Sequence, residues 1–188
     1  MKEKYTFKIS NGDQIIIRSI KRGDIDSVWR NFNEVVNSEE TPYPIFYPVE
    51  ARFEKESWYN TLKRENEICM VAENTSLEKP LNVIGQCEIT NIEWDASMHV
   101  GNLGVIVLKE YRDMGIGHRL IDAAIRVSFH KNEKEKIILS CFATNDRAIH
   151  LYKKIGFKQV GLRKKQFKIK KKYYDEVLME LFIEDYLV

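Results

Sequence analysis

Two glycines, Gly115 and Gly117, stand in "EYRDMGIGHRL" (Glu110 to Leu120), between a β-branched run and an apolar-periodic one. They constrain the fold more than any other feature. Glycine is the poorest ordinary helix former, and a helix start needs none for its own stability. Upstream, "HVGNLGVIVL" (His99 to Leu108) reads as a strand; downstream, Ile116, Leu120, Ile121, Ala124, Ile125 and Val127 form a wide apolar stripe. A strand turning through glycines into a helix gathers unpaired N–H groups at the positive end of the helix dipole, which suits a phosphate or pyrophosphate. Small residues there also let a helix pack closely on a sheet, and the segment alone leaves both explanations open. The dinucleotide fingerprint G-x-G-x-x-G is excluded, because Leu120 stands where its third glycine belongs, and no G-K-[ST] follows to make a P-loop.

The elements around this turn alternate. "QIIIRSI" (Gln14 to Ile20) predicts a strand, and Asp24 is placed to cap a helix carrying Ile25, Val28, Trp29, Phe32 and Val36. A second helix is expected over roughly Glu50 to Asn66, with Phe53, Trp58 and Leu62. Strands follow in "ICMVAEN", "NVIGQCEITNIE" and, past the glycine helix, "KIILSCFAT". Asn145 can cap a helix whose inner face is Ala148, Leu151, Tyr152 and Ile155, with Gly156 at its exit. A hairpin over "KQVGLRKKQFKIKKKYYDEVLMELFI" ends the pattern. The order indicates an α/β domain with a mixed sheet, and 188 residues suit a single domain, 1–188.

Composition narrows the classes. With 30 basic against 28 acidic residues the net charge is +2, which argues against bulk electrostatic binding of nucleic acid. Cys69, Cys87 and Cys141 stand apart without metal-type spacing and read as thiols in a reducing compartment; no metal is expected. With no leader pattern and no membrane-length apolar run, the expectation is a cytoplasmic protein with no membrane partner.

A longer window adds a resemblance. "VIVLKEYRDMGIGHRL" resembles the acetyl-CoA-binding signature of the GNAT superfamily of N-acetyltransferases, in which an apolar strand precedes [RQ]-x-x-G-x-[GA]; Val107, Arg112, Gly115 and Gly117 match. "NDRAIHLYKKIGF" matches the family's second block at Asn145, Ala148, Leu151, Tyr152, Gly156 and Phe157. The resemblance implies a mixed, mostly antiparallel sheet flanked by helices, with a splayed strand pair for acyl-CoA. It implies that the amides of Arg112, Asp113, Met114, Gly115, Ile116, Gly117 and His118 cradle the CoA pyrophosphate. It further implies that the strand backbone at Val105, Ile106 and Val107 meets the pantetheine arm, which Asn145 also touches. Acetyl-CoA is then the cosubstrate and Tyr152 the group approaching its sulfur.

The base that frees the acceptor amine is less legible. Glu88 lies on the polar alternation of its strand with Gln86 and Thr90; His99 has a suitable reference pKa, ~6.5; Asn102 stands where many relatives carry a glutamate. Each of Glu88 and His99 also reads as a solvated strand residue. A lysine-like amine is neutral only about one part in a few thousand at pH 7, whereas an α-amine is roughly a tenth to a sixth neutral, so a site without a strong base suits the α-amine better. Tyr43, Phe46 and Tyr47, on a proline-stiffened loop, either clamp the acceptor or pack their own loop. Arg163, Lys164, Lys165, Lys168, Lys170, Lys171 and Lys172 read as a solvated edge or an anion-attracting hairpin, and Asp175 and Glu176 as groups that can face an amine.

The expected activity is acetyl transfer from acetyl-CoA to a small-molecule or peptide amine, by direct attack in a ternary complex. A non-enzymatic acyl-CoA sensor or partner-binding module is the alternative, and an RNA-binding protein acting through the basic hairpin is the weakest reading. The oligomeric state stays open, a homodimer included.

Overall fold

The computed structural model describes residues 4–38 and 47–187. Among them, eight strands form one sheet: β1 (Lys4–Lys8), β2 (Gln14–Ser19), β3 (Ile68–Asn74), β4 (Val83–Thr90), β5 (Val100–Val107), β6 (Lys136–Phe142), β7 (Lys158–Ile169) and β8 (Lys172–Phe182). Their spatial order is β1-β2-β3-β4-β5-β6-β8-β7. Every neighbouring pair is antiparallel except β5 and β6. Between β2 and β3 come α1 (Ile25–Val36) and α2 (Arg52–Arg64); α3 (Ile116–Asn132) links β5 to β6, α4 (Asp146–Ile155) links β6 to β7, and α5 (Ile183–Leu187) ends the described chain.

Strand residues alternate between the two faces of a sheet, and each face here has its own core. On one face Ile15, Ile17, Met70, Ile84, Cys87, Leu103, Ile137, Val177 and Met179 pack with Leu120, Ile121, Ala124 and Ile125 of α3 and Tyr152 and Ile155 of α4. On the other face Ile20, Cys69, Val71 and Val83 pack with Val28 of α1 and Leu62 of α2, with Trp58 and Tyr59 against them. The mixed, mostly antiparallel sheet flanked by helices is thus the expected architecture.

Three details depart from the sequence expectation. A short, exposed β1 precedes the first anticipated strand, held to β2 by the turn at Gly12. Phe53 of α2 is exposed rather than inward. The Asp24 side chain does not cap α1; its carboxylate accepts from both terminal nitrogens of Arg18, at 2.6 and 3.1 Å, and from the Lys21 N–H. Asp24 is fully buried, so the ion pair wins over the cap. Of the aromatic loop, Tyr43 and Phe46 lie outside the described residues, and Tyr47 is exposed. No helix among the described residues is long and apolar enough to cross a membrane.

Candidate active site

The site begins where two parallel strands part. β5 and β6 pair at only three positions, Val100–Lys136, Gly101–Ile137 and Asn102–Ile138. Beyond them β6 continues on β8 to Phe142, and β5 continues on β4 to Val107, without pairing to each other. The backbone of β5 facing this gap can be read from its other edge. Leu108 donates its N–H to the Ile84 carbonyl at 3.0 Å, and the Ile106 carbonyl lies against Gly85, so the even-numbered residues address β4. Leu103, Val105 and Val107 therefore turn their N–H and C=O groups into the gap. The side chains of Val105 and Val107 pack against the α3/α4 core.

Ile106, by the same alternation, addresses β4 with its backbone and the α1/α2 face with its side chain. The Val107 carbonyl is already engaged by Arg112, whose Nε donates to it at 3.0 Å, so the Arg112 guanidinium closes one end of the gap.

At that end the chain makes a short 3-10 turn over Lys109–Tyr111 and enters α3 through two left-handed residues, Asp113 (φ 63°) and Gly115 (φ 76°). Gly115 is the N-cap and offers no side chain to the first amides of the helix. Left-handed residues in such a turn bring successive N–H groups into a concavity suited to an anion. Gly117 has a different cause: a Cβ there would stand 3.3 Å from Leu151 Cδ2 of α4 and 3.7 Å from Val107 Cγ2. Met114 packs on the core edge, Ile116 is buried within it, and His118 is half-buried. The Asp113 carboxylate takes an ion pair from Arg147 of α4 at 3.0 Å, tying the turn to the next helix. Asn145 caps α4 as anticipated: its Oδ1 accepts from the Ala148 N–H at 3.2 Å, which leaves the amide nitrogen as its donor toward a ligand.

Tyr152 is buried in the α3/α4 core, edge-to-face with Phe157 at 5.9 Å. Glu88 stands on the opposite face. It opposes Gly104 of β5 across the β4–β5 ladder and is half-buried there. Burial pushes its carboxyl up to about 7, with Trp58 pulling the other way and Glu67 adding to the rise. A Cβ at Gly104 would meet nothing within 4 Å, so space lies open beside that carboxyl.

Register carries the same face across the gap: Asn102 pairs with Ile138, and Phe142 of β6 pairs with Glu176 of β8. Glu176 is buried and bonded to Arg163 at 3.0 Å. Asp175 instead accepts from the backbone N–H of Lys165, within the bulge of β7. His99 is exposed and precedes β5, about 16 Å of extended chain from Gly104, and is not brought to the gap. Burial pushes Cys141, beside the gap on β6, up to about 11, the wrong direction for a nucleophilic thiolate.

The family model described as the Acetyltransferase (GNAT) family matches residues 32–157, which span the splayed strands, the glycine turn and Tyr152. The chain belongs to that family. This GNAT acetyltransferase is 28% identical to the spermidine N(1)-acetyltransferase of Vibrio cholerae serotype O1 over 178 residues, 93% of this chain and 96% of the relative. It is also 28% identical to an N-alpha-acetyltransferase of Sulfurisphaera tokodaii, over 79% of this chain and 83% of the relative. Among solved structures, spermidine N-acetyltransferase from Vibrio cholerae in complex with CoA and spermine superposes with a TM-score of 0.74 at 27% identity, covering 93% of this chain and 98% of that one. An N-acetyltransferase from Staphylococcus aureus Mu50 superposes with a TM-score of 0.79 at 21% identity, over 90% and 98%, and attests the fold. As a GNAT enzyme the acetyltransferase transfers an acetyl group to an amine, with acetyl-CoA as cosubstrate.

The influence of Trp58 on the Glu88 carboxyl is the part of the site that sequence reasoning did not anticipate. Trp58 lies on the inner stripe of α2 and reads there as core, and no local spacing ties it to a residue 30 positions on.

Proposed function

We propose that this acetyltransferase acetylates a primary alkylamine of the spermidine class by direct attack, with Glu88 as the base and the Tyr152 hydroxyl as the hydrogen-bond donor to the leaving thiolate. What carries the reading is the placement of the two groups on opposite faces of the sheet, either side of the gap. Glu88, with a pKa of about 7, is about half ionised at neutral pH and can take a proton from an ammonium entering over Gly104. The freed nitrogen attacks the thioester carbonyl, and the N–H groups of Leu103 and Val105, which face the gap, are donors for the oxygen that gains charge. The C–S bond breaks toward the α3/α4 face, where the Tyr152 hydroxyl hydrogen-bonds the departing thiolate, and the second proton that the attacking nitrogen sheds passes to solvent. The hydroxyl's reference pKa of ~10 against ~8.5 for a thiol makes that bond, rather than complete transfer, its contribution. Glu88 weakens the case for an α-amine acceptor, since a base with a raised pKa removes the need for an amine that is already neutral. The relative matched over 93% of the chain points the same way.

Thiol release from acetyl-CoA tests this, with spermidine, single amino acids, a lysine side chain and short peptides as acceptors. Turnover on spermidine, lost by about 100-fold or more in E88Q and reduced in Y152F with acetyl-CoA affinity retained, is the expected result. Turnover on free peptide N-termini alone would overturn the acceptor. No turnover on any amine, with acetyl-CoA still bound, would favour an acyl-CoA sensor.

A further inference from the structure

We propose that the β7–β8 hairpin is a docking surface for single-stranded nucleic acid, with Lys165, Lys168, Lys170, Lys171 and Lys172 meeting phosphates and Tyr173 meeting a base. From Arg163 to Lys172 seven of ten residues are basic, none is acidic, and all seven are exposed. The whole-chain charge of +2 conceals this: with seven of the 30 basic residues in the arm, 23 remain against 28 acidic ones elsewhere. The molecule is polarised, its positive charge gathered on one arm. The β6–β8 ladder stops at Phe142–Glu176, so the arm reaches about 13 Å past the end of β6, at ~3.3 Å per residue. A cationic arm does not attract a polycationic acceptor, so it serves a ligand other than the amine.

The backbone of the arm shows that its lysines are not there for the fold. Lys170 (φ 45°) and Lys171 (φ 71°) make the two-residue turn between Ile169 and Lys172, and Lys165 (φ 53°) stands in the bulge of β7. All three are left-handed. A two-residue turn with both φ positive is the place of Asn-Gly, and a left-handed bulge position that of glycine. A side chain in that region is disfavoured, and lysine held there three times in one arm points to a use for the ammonium groups. Charges that merely discourage edge-strand pairing can stand anywhere along the strand and need none of these positions.

Tyr173 supplies the second element of the surface. It pairs with Lys168 in the ladder and is 50% exposed, and the Nζ atoms of Lys168 and Lys165 lie over its ring, 5.2 and 5.7 Å from the centroid. Its neighbour Tyr174 packs instead on Phe142 at 5.6 Å, and Phe142 meets Phe167 at 4.5 Å, which anchors the arm to β6. An exposed ring on an anchored arm, with ammonium groups against it, can stack a base while the ammonium groups pass to the flanking phosphates. An inorganic polyanion would leave the ring idle. A bilayer would be met by apolar side chains at the tip, and the tip is Lys170–Lys171. Arg163 is outside the set, because its guanidinium is engaged with Glu176 at 3.0 Å.

The test is the anisotropy of a fluorescent oligouridylate across a salt series, with inorganic polyphosphate and phosphatidylserine vesicles as rival probes. The native protein should bind the oligonucleotide with a micromolar or tighter Kd in about 50 mM salt and weaken with a log–log slope of about 3, ~0.7 for each of about four phosphates. K170N/K171G gives the turn its preferred residues, so its melting temperature should rise while its affinity falls about tenfold and its salt slope by about 1.4. Y173L should lose about tenfold in affinity for the oligonucleotide and none for polyphosphate. K4Q/K8Q, which removes the same charge from the exposed β1 at the opposite edge of the sheet, should bind as the native protein does. Acetyl transfer to an amine should be native in K170N/K171G, so that this surface and the acetyl site fail independently. No binding at low salt overturns the proposal, and so does an equal loss in K4Q/K8Q and K170N/K171G, which would assign binding to bulk charge. Vesicles bound more tightly than the oligonucleotide would make the partner a membrane, and an undiminished Y173L would make it a bare polyanion; either result removes nucleic acid.

Discussion

An alanine at position 115 would have to hold φ near +76° and set its Cβ 2.6 Å from Nη1 of Arg119, a group that can swing aside; at position 117 it would press 3.3 Å against Leu151 with an ordinary backbone. The first is a conformational demand, the second a packing one. G115A should therefore lose about 1–2 kcal/mol of stability through the left-handed backbone and weaken acetyl-CoA binding by distorting the turn. G117A should be milder on both counts. Urea unfolding with calorimetric titration of acetyl-CoA checks the order, and equal losses would mean that the turn is not held by Gly115. Both positions were legible as a puzzle in the sequence, yet their separate causes were not, because backbone sign and the approach of α4 are invisible in a string of letters. Asn145 was the reverse case: the cap follows from residue type and position alone, and the structure reproduces it.

At the scale of elements, the strands were mostly legible because β-branched alternation is a local signal; β3 coincides with the anticipated "ICMVAEN". The parting of β5 from β6 was not, since Leu103 to Val107 read as ordinary strand whether or not a neighbour pairs with them; only the family resemblance supplied it. Gly104 offers the means to probe the opening. Its Cβ position is unobstructed, so G104V should fold as well as the native chain or slightly better, valine being the stronger strand residue. A branched side chain there would occupy the room beside Glu88. The expectation is an amine KM raised about tenfold or more, with acetyl-CoA affinity and melting temperature little changed. Unaltered amine kinetics would move the acceptor elsewhere.

Across the whole molecule, buried and half-buried carboxylates pull stability in opposite directions with pH. Burial works to raise Asp24, but the Arg18 guanidinium and the Lys21 N–H outweigh it and hold Asp24 below its ordinary value. Arg18 likewise lowers Glu73. Their contribution is present above the ordinary carboxylate range and is lost as pH falls below it. Glu88 does the reverse. With its ordinary value of 4.5 raised to about 7, the folded protein binds that proton more tightly than the unfolded chain; the advantage is full below pH 4.5 and is lost as pH rises through 7. Replacing it with a neutral isostere should thus stabilise the protein at pH 8 by up to about 3 kcal/mol relative to the native chain, and by almost nothing at pH 4.5. Denaturant unfolding of E88Q at the two pH values reads this directly; a constant difference would mean that Glu88 does not titrate in this window. The three rungs between β5 and β6 have a mechanical counterpart. Five strands on one side and three on the other share this short seam, so the sheet has its least backbone bonding where the groups proposed to react converge. Any drift that zipped the seam further would give a sturdier protein and a sealed one, and selection for turnover must hold the tear open.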